Sequence, residues 1–96
     1  MTKEDVLPIL RAVAGEAGLK YKATIRGLFG SFAKGEESLH SDVDVLVDFS
    51  ENADLFDFVG LSLFLEEKLH AKVDIVPADT IKPEIRQTIL EETIYL

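Results

Sequence analysis

Three aspartates and one glycine–serine pair carry most of the chemical potential of this 96-residue sequence. Asp42 and Asp44 stand in Asp42-Val43-Asp44-Val45-Leu46-Val47-Asp48-Phe49, where the odd positions are three valines and a phenylalanine. Such alternation marks a strand with one face in a core and the other carrying carboxylates. The pattern predicts a strand over residues 42–49, with Asp42 and Asp44 on the same face at one end, close enough to bind one cation. Asp74 lies in Val73-Asp74-Ile75-Val76, where a carboxylate among strand-forming apolar residues is costly unless something cationic compensates it. A neighbouring strand that brought Asp74 beside the pair would complete a cluster of three hard oxygen ligands. Their mutual repulsion at neutral pH is the kind that Mg²⁺ or Mn²⁺ relieves.

Gly30-Ser31 supplies the other half of a phosphoryl-transfer site. Glycine lets a backbone approach closely, and the Ser31 hydroxyl and the start of the next helix can donate hydrogen bonds to an anion. Each signal has an ordinary alternative: an Asp-x-Asp at a strand start is often a polar edge, and Gly-Ser is often a turn. Their combination is what points to chemistry. Asp48 shares the face of Asp42 and Asp44 but lies roughly 20 Å and 13 Å from them by strand rise, and reads as solvated. His40 and His70 read as structural, and the adjacent pairs Glu36-Glu37, Glu66-Glu67 and Glu91-Glu92 read as solvated faces.

The elements that must position these groups are legible in outline. Residues 2–19 place Val6, Leu7, Leu10, Val13 and Ala14 at helical spacing behind a Thr2 N-cap, with Gly18 as the expected end. Ala23–Phe29 reads as a strand, 31–34 as a short helix and 35–41 as an exposed loop. Asp54–His70 reads as a long amphipathic helix burying Leu55, Phe58, Val59, Ser62, Leu65 and Leu69. Lys72–Pro77 reads as a strand, and Lys82–Glu92 as a helix with Pro83 in its first turn. The apolar tail 93–96 either pairs with a partner or folds back. Together they predict an α/β (α+β) domain over 1–96, a small mixed sheet of three or more strands packed with helices.

Composition narrows the function. Eighteen acidic against ten basic residues give a net charge of −8, which repels a phosphate backbone and disfavours stable nucleic-acid binding. No apolar run approaches a membrane span, and the N-terminus lacks an export pattern. With no cysteine, thiolate chemistry and disulfides are excluded, and a cytoplasmic location is the expectation.

Gly30-Ser31-Phe32-Ala33-Lys34-Gly35, a short loop, then Ser41-Asp42-Val43-Asp44-Val45, with Asp74 on a later strand, resembles the signature of the minimal nucleotidyltransferases of the DNA polymerase beta superfamily. The resemblance runs from about residue 22 to the C-terminus and departs at Lys34, where the family pattern has arginine. It implies a polymerase-beta-like fold binding ATP at Gly30, Ser31 and Lys34. It also implies two metal ions on Asp42, Asp44 and Asp74, with Asp74 serving the acceptor. Short members of the family resemble antitoxins paired with a HEPN-type toxin, to which they add AMP on a tyrosine. At this length an acceptor-binding domain is not expected, so the acceptor is expected to be a protein. The alternatives are an antitoxin that binds nucleotide and acts by complex formation, and a transferase acting on a small molecule.

Overall fold

A four-stranded sheet, with the third strand of the sequence at one edge, then the second, the first and the fourth, organises the computed structural model, which describes residues 1–96. Helix α1 (Lys3–Tyr21) leads into β1 (Ala23–Phe29), the short α2 (Gly30–Lys34) and β2 (Val43–Phe49). Helix α3 (Leu55–Leu69) crosses over to β3 (Val73–Pro77), and a 3₁₀ turn at Ala78–Thr80 precedes α4 (Pro83–Glu92) and the terminal strand β4 (Ile94–Tyr95). β1 is antiparallel to both β2 and β4, whereas β2 and β3 are parallel, so the sheet is mixed as expected. A parallel pair needs a long crossover, and α3 provides it.

The valines set the layering. Val43, Val45 and Val47 are buried on one face with Ile25, Leu28, Val73 and Ile75, beneath Val6, Leu10, Val13 and Ala17 of α1 and Leu61, Phe64, Leu65 and Leu69 of α3. The opposite face is not purely polar. Leu46 is fully buried there in a smaller cluster with Ala78 and Ile81, against which Phe29, Val76, Ile89 and Leu90 pack. Helix α4 therefore covers the middle of this face and leaves its β2–β3 end to the carboxylates.

Several local expectations change. Helix α1 passes through Gly18 to Tyr21 and stops at Lys22, which adopts a left-handed φ of 57°. The buried face of α3 is rotated from the expected one: Leu61 and Phe64 point inward, while Leu55 and Val59 are exposed. The tail folds back, with the Leu96 N–H donating to the Arg26 carbonyl. Asp48 is not merely solvated, since Arg26 Nη1 donates to its Oδ2 at 2.7 Å and Tyr95 stacks on the Arg26 guanidinium. No helix is long and apolar enough to cross a membrane.

Gly27 explains how β4 can close on β1. A Cβ there would collide with the Ile94 carbonyl oxygen and lie 2.8 Å from Thr93 Cγ2. Gly15, inside α1, has nothing within 4 Å of such a position. Gly27→Ala should therefore cost about 1–3 kcal/mol, as overpacking does, whereas Gly15→Ala should gain roughly 0.5–1 kcal/mol of helix stability. Urea denaturation of the two variants checks the opposite signs.

Candidate active site

The site is built by strand register. Parallel pairing of β2 with β3 places Asp44 directly beside Asp74, and antiparallel pairing of β1 with β2 places Phe29 on its other side. Gly30 follows at the turn into α2 with φ of 71°, a conformation that favours glycine. A Cβ at Gly30 would run into the Asp44 carboxylate, so the bare glycine backbone is what lets that side chain lie where it does. Asp42 is exposed just ahead of β2, one residue outside the strand predicted for it.

Burial falls differently from the expectation. Asp74 is exposed, because β3 is an edge strand whose alternation turns Val73 and Ile75 inward. The half-buried member is Asp44. Desolvation, then the charges of Asp74 and Asp42, then a hydrogen bond with Asp74 raise its pKa from 3.8 to about 6. The two carboxylates therefore crowd one another, and a cation between them would relieve the repulsion.

The donor set fits a divalent ion of the Mg²⁺ type. No three acidic or histidine side chains converge into a ready-made cage. Mg²⁺ is commonly held by one or two carboxylates and completed by substrate phosphates and water. Asp44 with Asp74 would suit the protein share of such a shell, whereas Asp42 is not gathered with them into the three-carboxylate cluster expected from the sequence.

The carboxylates separate two concavities. Asp42 lines a cleft of about 580 Å³ with Ser38, His40, Ser41, His70 and Lys72. Asp44 and Asp74 line a groove of about 410 Å³ whose wall is Phe29, Val76, Ile81, Ile85 and Ile89, with Thr80 and Lys82 at its edge. The cleft is of mixed character, with Met1, Phe32, Leu39 and Ala71 beside its polar residues and Lys72, while the groove is mostly apolar. Neither Lys72 nor the α4 isoleucines were singled out in the sequence, although Lys72 sits at the mouth of the strand that bears Asp74. His40 and His70, read as structural, both face the larger cleft. Lys34 reaches Glu92 of α4, with Nζ 3.3 Å from Oε2.

The raised pKa makes ionised Asp44 a liability for stability. The folded chain holds this proton more tightly than the unfolded chain, so stability is full below pH 3.8 and falls as pH rises toward about 6. The shift corresponds to at most ~3 kcal/mol, and half exposure reduces the net effect to about 1 kcal/mol. Asp44→Asn should therefore stabilise the metal-free chain by about 1 kcal/mol at pH 8 and by little at pH 4. Denaturation midpoints at both values check this.

Comparison with known proteins agrees with this geometry. Residues 17–96 match the nucleotidyltransferase domain family. The protein adenylyltransferase MntA of Thermococcus cleftensis is 38% identical over 96 residues, covering 100% of this chain and 97% of its own. A solved structure described as a minimal nucleotidyltransferase superposes with a TM-score of 0.83 at 36% identity, covering 100% of this chain and 97% of its own. A toxin–antitoxin crystal structure with AMP-PNP shares the fold, with a TM-score of 0.68 at 21% identity over 99% of this chain and 72% of its own. The chain belongs to the nucleotidyltransferase domain family, in its minimal branch, and is a nucleotidyltransferase.

Proposed function

We propose that this chain is the antitoxin of a toxin–antitoxin pair, and that it transfers AMP from ATP to a hydroxyl on its HEPN-type partner. The observation that carries the reading is the in-register pair Asp44–Asp74 beside Gly30, at the edge of an apolar groove. The names borne by the MntA relative and by the toxin–antitoxin neighbour support it.

In this reading the triphosphate lies along Gly30 and Ser31 toward Asp42, and the acceptor side chain enters the groove beside Asp74. The apolar wall suits a hydroxyl carried on an apolar or aromatic side chain better than a free sugar. The acceptor oxygen attacks the α-phosphorus, the bond to the bridging oxygen of pyrophosphate breaks, and the hydroxyl proton passes to the Asp44–Asp74 pair. Asp42, Asp44 and Asp74 would hold Mg²⁺ or Mn²⁺, which supplies Lewis-acid polarisation and charge compensation at the phosphates.

Lys34 is the residue whose role depends on substrate. Its pair with Glu92 is partly exposed on both sides and is worth about 0–1 kcal/mol, so a triphosphate can compete for the ammonium. Arginine at this position could grip both groups at once, and lysine, as a point charge, exchanges one for the other.

The test is the intact mass of the protein encoded beside this chain after incubation with the chain, ATP and Mg²⁺. One or more added AMP units are expected with the wild type. Asp42→Asn/Asp44→Asn should cut the rate at least about a thousandfold, matching the several kcal/mol that metal charge stabilisation provides. Unchanged transfer by that variant would remove the metal assignment, and a stable complex without transfer would leave binding alone as the function.

A further inference from the structure

Helix α3 has a second apolar face that the fold does not use. Leu61, Phe64, Leu65 and Leu69 enter the core, yet Leu55, Phe56, Val59 and Leu63 remain 73%, 87%, 47% and 62% exposed. Leu55, Val59 and Leu63 are spaced i, i+4, i+8 with Phe56 alongside, so the four make one stripe on one side of the helix. Four large side chains at these exposures form a patch of the several-hundred-Å² class that marks interaction sites on monomers.

The surrounding charge says what covers it. Glu51 and Asp54 flank the N-terminal end of the stripe and Glu67 the C-terminal end, while Glu66 turns inward to accept the Val73 N–H. The cations near α3 are turned elsewhere: Lys68 lies over the Phe64 ring and Lys22 pairs with Asp57. A second copy of this chain is a poor occupant, because antiparallel packing sets Glu67 against Glu51 and Asp54, parallel packing sets Glu67 against itself, and each copy carries −8.

We propose that the outer face of α3 docks a protein partner presenting an apolar helix face edged with lysine and arginine. The inference rests on the reading of this chain as one half of a two-protein pair, and it adds where and by what chemistry the halves meet. Because α3 packs on the sheet face opposite Asp44 and Asp74, a partner held there leaves these two carboxylates and the groove beside them open. Docking and nucleotidyl transfer are then separable functions of two faces.

The experiment is calorimetric titration of the wild-type chain with the protein encoded beside it, at low and at high salt. Phe56→Glu/Leu63→Glu, the milder Phe56→Ala/Leu63→Ala and Asp42→Asn/Asp44→Asn are titrated in parallel. Circular dichroism verifies that the α3 variants, altered only at exposed positions, are folded. Expected are a complex with the wild type that weakens with salt, a loss of affinity of about a hundredfold or more for the glutamate variant, a smaller loss for the alanine variant, and wild-type affinity for the aspartate variant. Unchanged binding by the α3 variants, no binding by the wild type, or a wild-type homodimer in sedimentation that the α3 variants abolish would each overturn the proposal. Intact docking with no AMP transfer would instead count against the catalytic reading and leave the surface standing.

Discussion

Two carboxylates set side by side on adjacent parallel strands are the constraint around which this molecule is arranged. Asp44 and Asp74 meet because β2 and β3 run in register, and they repel because Asp44 is half withdrawn from water. A proton on Asp44 relieves the repulsion only below about pH 6, whereas a divalent cation would relieve it at neutral pH. The same placement that weakens the fold therefore creates the demand for a ligand.

The rest of the structure can be understood as what keeps that placement fixed. The parallel register depends on the α3 crossover, whose inner face is locked by Leu61, Leu65 and Leu69 against the valines of β2. On the carboxylate side, Leu46 with Ala78 and Ile81 anchors the turn after β3, and α4 lies over it without a fully buried residue of its own. The groove beside Asp44 and Asp74 is thus bounded by the least deeply packed helix. Few buried apolar contacts make a segment the first to move, which under the proposed function suits a wall that would admit an acceptor side chain.

Much of this was legible because strand chemistry is local. Alternation in 42–49 revealed both the core face and the carboxylate face, and Gly30-Ser31 marked the turn where Asp44 needs a residue without a side chain. Other features depend on partners distant in sequence. Leu46 looked like one more outward position, yet the 3₁₀ turn and α4 cover it. Asp74 looked buried by its neighbours, but an edge strand turns it to water. The face of α3 was misassigned because its outer side is almost as apolar as its inner side, so periodicity alone could not choose between Leu55 and Leu61. That ambiguity has a physical source, since a helix apolar all round is one that is covered all round. Strand β4 was too short to announce itself and exists because Gly27 lets the backbone come close.

Binding of Mn²⁺, followed by its electron paramagnetic resonance signal together with an ATP analogue carrying a methylene bridge between the α and β phosphates, would show whether the carboxylate pair is a metal site. The account predicts that Mn²⁺ is bound by the wild type and by Asp48→Asn, whose native side chain is engaged by Arg26, and that binding is lost in Asp44→Asn and Asp74→Asn. Equal binding by all four proteins would mean that the repulsion between Asp44 and Asp74 serves some purpose other than holding a metal.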